Sequence, residues 1–264
     1  MAERPDQFSD VKLAAFERQC LTALNELFEA ARSQEELQFA MALSPEFRGA
    51  QEGGWSTAVE ATKAFDEYLD LISKIPPSPI RVRVALSFYS YLSECAGLYE
   101  VPMNMMRITS KQNYAPVPFH GLITKFDQRG VAIAPNANKV MRAMLGHAEE
   151  LNFIGIKNIL LDAFDSDLRN GYAHADYVVR PEGIRLPRRN GGPGILVKYD
   201  DFEVKFNKAI RLFQVLRELI SSSAKTYVNP KVVTGRMNDQ APPVVSTISF
   251  DEKTEVLRIQ SRSI

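Results

Sequence analysis

The sequence has few of the residues from which metal and disulfide sites are built. Its 264 residues include two cysteines, Cys20 and Cys95, and three histidines, His120, His147 and His174. Two cysteines exclude a disulfide framework, so a reducing cytoplasm is the expected location and both thiols are expected to be buried packing groups. Because no two histidines are close in sequence and neither cysteine lies beside another ligand type, no zinc signature exists and we expect no metal.

Long apolar runs are also missing from the chain. The longest fall short of the ~18 residues that a membrane span needs, and the first ten residues, MAERPDQFSD, lack the basic-then-apolar order of a signal peptide. We therefore expect a protein without a membrane segment. The sequence contains no Gly-x-Ser-x-Gly nucleophile elbow, no dinucleotide-binding fingerprint and no set of kinase motifs. No cofactor is expected.

Charge balances over the whole chain but not within it. The sequence has 32 Lys and Arg residues and 32 Asp and Glu residues, yet residues 1–168 hold 16 basic and 22 acidic side chains. Residues 169–198 hold six basic and two acidic ones. A neutral chain is a poor bulk binder of nucleic acid, whereas a local basic strip can contact a phosphate backbone. A solvated, arginine-rich hairpin is the alternative interpretation of this strip.

Hydrophobic periodicity predicts a mainly helical fold. Apolar residues make up 45% of the chain and charged residues 24%, which are ordinary values for a globular protein. Apolar residues recur at three- and four-residue spacings, and this pattern indicates amphipathic helices. The predicted helices cover residues 10–32, 57–74, 80–99, 117–128, 136–151, 153–165 and 201–223, and the pattern resumes over 167–177. Residues 100–116 are predicted to form a loop.

Two short regions show the two-residue period of strands instead. One is a β-hairpin insertion at residues 177–199, with strands at 178–179, 184–186 and 195–199, and the other is a terminal hairpin at 244–260. We expect a helical bundle over 79–225 that carries this insertion. An N-terminal helical region, 1–78, would pack on it, and 226–264 would form a C-terminal extension.

One short segment combines residue types that suit phosphodiester chemistry. Asn170 and His174 are four residues apart, about 40° around a helix axis, and the long side chain of Arg169 can reach over the helix end. Arginine supplies a permanent charge and paired donors for a phosphate. Histidine has an unperturbed pKa of ~6.5 and can transfer protons at neutral pH, while asparagine can orient either group.

Arg169-Asn170, three residues and His174 resemble the motif of HEPN domains, in which arginine and a polar residue precede a histidine. The surroundings are similar as well: a helix before the motif, Ala-Asp-Tyr after it, a short hairpin and a long amphipathic helix. Upstream, Glu94 among apolar residues and Pro118-Phe119 also resemble bacterial proteins of this kind. The resemblance covers about residues 80–225. Some HEPN toxins have a tyrosine two residues after the histidine, whereas Tyr177 is three after it here.

The resemblance implies a dimeric helical bundle of HEPN type in which two motifs face a shared cleft. It also implies a metal-independent endoribonuclease in a bacterial toxin or phage-defence role, with RNA as substrate and an inhibitor or antitoxin protein as a further partner. The implied catalytic residues are Arg169, Asn170 and His174. The basic strip would bind substrate through Arg180, Arg185, Arg188 and Arg189.

Two other interpretations remain open at this point. Some HEPN domains are non-catalytic modules that bind nucleotides or other proteins. In an unrelated helical protein, Asn170 and His174 would form hydrogen bonds within the bundle, and Arg169 would pair with Asp165. Catalysis requires both Arg169 and His174 to be reachable by solvent in one cleft, whereas the non-catalytic module requires only the bundle.

Overall fold

The computed structural model describes residues 5–44, 57–187 and 192–263, and this part of the chain is mainly helical. Two small three-stranded antiparallel sheets complete the fold, with strand orders β1-β2-β3 and β4-β5-β6. The helices are α1 (Pro5–Gln34), α2 (Glu36–Leu43), α3 (Thr57–Lys74), α4 (Pro79–Glu94), α5 (Ala96–Thr109), α6 (Ala137–Glu150), α7 (Ile154–Ala163), α8 (Ser166–Ala173) and α9 (Tyr199–Lys225). The strands are β1 (Val178–Arg180), β2 (Gly183–Leu186), β3 (Ile195–Val197), β4 (Lys231–Gly235), β5 (Val244–Asp251) and β6 (Val256–Ser263). The predicted helical class and both predicted β regions are confirmed.

The prediction for residues 80–116 is wrong in its division into one helix and a loop. The helix ends at Glu94, and a second helix runs from Ala96 to Thr109 with Pro102 inside it. Residues 100–116 show no clear apolar period, which is why a loop was predicted there, and Pro102 lacks the N–H of a helical hydrogen bond. The buried side chains of Met103 and Met106 hold this segment in the core, and their burial outweighs the missing bond.

The helix predicted at residues 117–128 is also wrong. A 3₁₀ turn at His120–Leu122 is followed by a tight antiparallel hairpin over residues 124–133, in which Phe126 faces Ala132. Asp127 Oδ1 accepts the backbone N–H groups of Arg129 and Val131, both at 2.8 Å. These side-chain bonds stabilise a turn in competition with a helix.

Two smaller differences concern element ends. The pattern predicted to continue through 167–177 ends at Ala173, and the C-terminal hairpin has an additional strand, β4, paired antiparallel with β5. A single five-residue strand bounded by proline-containing links gives little periodicity to detect.

One hydrophobic cluster contains buried side chains from the N-terminal helices, the central helices and the C-terminal sheet. Phe65 of α3 stacks on Phe213 of α9 at 4.4 Å between ring centroids and meets Phe88 of α4 edge-on at 5.4 Å. Cys20 and Cys95 are free and buried, as predicted. The division of the chain at residues 78 and 225 stays a prediction. Among the described helices, none is long and apolar enough to cross a membrane.

Candidate functional site

Helix α8, which carries the Arg-Asn-His motif, is fixed at its first residue. Asp165 precedes it as the N-cap, and its Oδ1 accepts the N–H groups of Asp167 and Leu168 at 2.9 and 3.0 Å. The fully buried Tyr89 of α4 donates its hydroxyl to the Ala163 carbonyl at 2.8 Å and accepts the Asp165 N–H at 2.6 Å. Burial raises the pKa of Tyr89 far above its ordinary value, so it remains a neutral donor. The start of α8 is therefore tied to α4.

The other end of α8 holds His174 in a defined position. Ala175 has a left-handed backbone, with φ +54°. The Asp176 N–H bonds to the Gly171 carbonyl at 2.8 Å, and the Ala175 N–H bonds to the Tyr172 carbonyl at 2.9 Å. These two bonds form a Schellman motif, which ends a helix by satisfying its last carbonyls. His174 is the C-cap residue, and its side chain is exposed.

Arg169 lies on the buried side of the same helix. Its Nη2 forms an ion pair with the carboxylate of Glu94, at the end of α4, and its Nη1 donates to Asn170 Oδ1 at 2.8 Å. The Arg169 side chain is 11% exposed, while that of Glu94 is 39% exposed. Burial lowers the pKa of the guanidinium, which still carries its charge because arginine is not deprotonated in proteins. The Arg169 Nε is buried without a hydrogen-bond partner in the described part of the chain.

A fourth side chain, from α6, completes this group. Asn138 Nδ2 donates to Asn170 Oδ1 at 3.3 Å, so one amide oxygen accepts bonds from both Arg169 and Asn138. We call Glu94, Asn138, Arg169 and Asn170 the polar cluster. It joins α4, α6 and α8.

The structure brings Arg169 and Asn170 into direct contact, and His174 lies one turn further along α8. The His174 backbone N–H donates to the Asn170 carbonyl at 3.0 Å, whereas its imidazole faces solvent outside the polar cluster. The alternative pairing of Arg169 with Asp165 is wrong, because Asp165 caps the helix and Glu94 takes the ion pair.

Two of the four predicted substrate-binding arginines are described. Arg180 of β1 and Arg185 of β2 are exposed. Arg185 is in register with Val178 of β1 and Leu196 of β3, so these side chains share the outer face of the first sheet. Arg188 and Arg189 lie outside the described residues.

The first sheet lies directly against α8. A Cβ atom on Gly171 would approach the Cδ2 of Leu186 to 2.5 Å, so glycine allows the close contact between α8 and β2. The sheet therefore holds Arg180 and Arg185 on elements that follow His174 closely in sequence and pack on its helix.

Sequence reasoning missed Asn138 as a member of the site. It lies 32 residues before Asn170, and nothing in its own segment distinguishes it from other helix-start asparagines. The sequence does single out Glu94, since it is the one acidic residue within residues 80–99. Its pairing with Arg169, however, depends on how α4 and α8 pack. No cluster of three or more potential metal ligands occurs among the described residues.

Comparison of the chain with protein-family models, with curated proteins and with solved structures finds no match.

Proposed function

We propose that this protein is a metal-independent endoribonuclease of HEPN type. The observation that carries the proposal is the arrangement on α8: a guanidinium anchored by two neighbouring side chains, followed one turn later by an exposed histidine. Arg169 supplies fixed positive charge, and His174 supplies a group that can exchange protons with a bound substrate.

In the proposed reaction, the 2′-oxygen of a ribose attacks the adjacent phosphorus, and the bond from phosphorus to the 5′-oxygen breaks. The 2′-hydroxyl loses a proton and the departing 5′-oxygen gains one. His174 takes up the first proton or delivers the second, and solvent exchanges the other. Arg169 stabilises the negative charge that develops on the phosphorane oxygens, and Asn170 keeps the guanidinium in place. The products are a 2′,3′-cyclic phosphate and a 5′-hydroxyl end.

The sheet that packs on α8 would hold the flanking RNA. Arg180 and Arg185 lie exposed on it, and together with Arg188 and Arg189 they would contact phosphates without sequence choice. A homodimer formed near residues 160–175 would place two motifs together. Light scattering that shows only particles of the 29.7 kDa chain mass at high micromolar concentration would count against this dimer. A toxin or phage-defence role with an inhibitor protein is the biological setting that we propose.

The test is cleavage of mixed RNA by purified protein in the presence of a chelator, with analysis of the RNA ends. Changing His174→Ala should slow cleavage by ~10²–10⁴-fold, the usual contribution of a general acid–base group. His120→Ala is the matched control, since His120 is also exposed and should be dispensable. Equal rates in wild type and His174→Ala would assign any activity to a contaminant.

A second candidate function is a non-catalytic HEPN module that binds a nucleotide or another protein. The ion pair between Glu94 and Arg169 favours it, because the pairing offsets the arginine charge and leaves the side chain 11% exposed. The same cleavage assay separates the two functions. Absence of cleavage by wild-type protein on every RNA class tested would favour the non-catalytic module.

A further inference from the structure

The tight hairpin at residues 124–133 exposes apolar side chains on both of its faces. Phe126 is 62% exposed, and Val131 and Ile133 are 57% and 48% exposed. The hairpin is nevertheless well ordered by hydrogen bonds. The Ile133 N–H donates to the Lys125 carbonyl and the Asp127 N–H to the Val131 carbonyl, both at 2.9 Å. An aromatic ring is thus presented to solvent on a fixed support.

The surroundings of this ring are positively charged. Residues 123–142 contain four basic side chains and one acidic one: Lys125, Arg129, Lys139 and Arg142 against Asp127. Of these, Lys125, Arg129 and Arg142 are exposed. Asp127 pairs with Arg129 at 3.4 Å and offsets one of these charges, which leaves a net charge of +3 over residues 123–142.

The hairpin is linked to the polar cluster through the first turn of α6. Lys139 Nζ donates to Thr124 Oγ1 at 2.5 Å, and the preceding residue, Asn138, donates to Asn170 at 3.3 Å. One helical turn therefore contacts both the base of the hairpin and the motif helix.

We propose that the 124–133 hairpin is a binding platform for single-stranded RNA, with the ring of Phe126 stacking on a base next to the cleavage site. The inference rests on the proposed function for the class of ligand. Single-stranded nucleic acid combines negative phosphates with flat apolar bases, and proteins bind it with positive grooves and exposed aromatic rings. A second copy of this hairpin is a poorer match, because like charges around the two rings would repel.

The test is the affinity of a labelled ten-nucleotide RNA, measured by fluorescence anisotropy in a His174→Ala background so that the probe stays intact. Phe126→Ala should weaken binding roughly 5- to 150-fold, the usual effect of removing one stacking partner. Phe126→Trp should retain the affinity. Val131→Ala is the matched control, since it shortens a similarly exposed apolar side chain on the other face of the hairpin.

A second probe isolates the stacking contact from charge. An oligonucleotide of the same length with abasic sugars keeps every phosphate and offers no ring, so Phe126→Ala should leave its affinity unchanged. An equal loss on both probes would show a general structural effect and would overturn the proposal. Equal affinity of Phe126→Ala and its parent for the base-containing RNA would overturn it too, as would failure of the parent to bind this RNA.

The remaining outcomes separate this inference from the proposed function. If wild-type protein cleaves no RNA but Phe126→Ala still lowers affinity for the base-containing probe, the platform stands and the ribonuclease proposal fails. If cleavage depends on His174 while affinity does not depend on Phe126, the ribonuclease proposal stands and the platform fails. Sedimentation of wild type and Phe126→Ala completes the test, because conversion of a dimer to a monomer by this change would assign the hairpin to a protein interface and overturn the proposal.

Discussion

The ion pair between Glu94 and Arg169 should contribute measurably to stability, and a double-mutant cycle can determine how much. Glu94→Gln keeps the shape of the side chain and removes its charge, while Arg169→Ala removes the guanidinium. The two residues come from α4 and α8, which Tyr89 also joins through its bonds at the start of α8. Because the amide oxygen of glutamine can still accept from Arg169, the cycle measures the contribution of charge to one contact between two elements that remain joined elsewhere.

The expected magnitude follows from the unequal burial of the two partners. Hydrogen bonds to charged groups contribute about 1.5–3 kcal/mol, but Glu94 is 39% exposed, and solvent reduces its attraction for Arg169. We expect a coupling free energy of about 1–2 kcal/mol. Arg169→Ala alone should lower the free energy of unfolding by about 2–3 kcal/mol. This is more than the effect of Glu94→Gln alone, because the alanine variant also loses the donor to Asn170 and the packed alkyl stem.

Urea unfolding of the four proteins provides the assay, with unchanged slopes required for the comparison. The matched control is the pair between Asp70 and Lys74 on α3, whose side chains are 63% and 69% exposed. That pair should show coupling near the resolution of the measurement. A coupling for Glu94 and Arg169 below about 0.5 kcal/mol, the range of simple additivity, would refute the view that the pair anchors the guanidinium.

Three further predictions concern separate parts of the chain. Burial raises the pKa of Cys20 to about 12 and that of Cys95 to about 11, so iodoacetamide at pH 8 should label both thiols in urea and neither in native protein, as counted by mass spectrometry. Ala175→Gly should raise the free energy of unfolding by about 0.5–1 kcal/mol, since glycine adopts the left-handed backbone without strain. A free energy of unfolding below that of the wild type would contradict the left-handed conformation at the end of α8. Backbone hydrogen bonds, that from Val131 first, lower the pKa of Asp127, so the turn is stabilised above the ordinary carboxyl pKa and should loosen as pH falls through the lowered value. A backbone amide NMR signal of Val131 that stays unchanged through that acid range would contradict a role for the Asp127 carboxylate in holding the turn.

Helix existence could be predicted from the sequence where one face is apolar and the other charged, as in α1, α6 and α9. Prediction failed between residues 95 and 133 for two different reasons. The α5 segment has few charged side chains, so it lacks the contrast on which a period depends. The 124–133 hairpin is held by side-chain bonds from Asp127 to its own turn, and such local competition with a helix is not visible in apolar spacing.

In the candidate site, too, local features could be predicted from the sequence and contacts between distant segments could not. The three residues of the motif are close in sequence, so helix geometry alone relates them, and the exposed position of His174 was one of the alternatives that the sequence left open. The other two members of the polar cluster are distant in sequence: Glu94, the ion-pair partner of Arg169, comes from α4, and Asn138 of α6 bonds to Asn170. Contacts between helices depend on packing angles that no single segment encodes, and so the sequence alone led to Asp165 as the alternative partner.

The environment of Arg169 bears on how it could act while paired with an acid. A guanidinium has five N–H donors; one bonds to Glu94, one to Asn170, and the Nε–H is buried. Among the described residues, one donor on each terminal nitrogen has no further recorded partner, and a bidentate phosphate contact uses two such donors. Glu94 would weaken attraction for a singly charged phosphodiester in the ground state. The attraction of Arg169 and the repulsion of Glu94 both grow with the charge on the phosphate. Where the guanidinium lies nearer to the phosphate than the carboxylate does, the pair still binds the more highly charged phosphorane more strongly than the diester, and binding that favours the transition state over the substrate accelerates a reaction. A paired arginine is therefore compatible with catalysis, provided that its two remaining donors face the substrate.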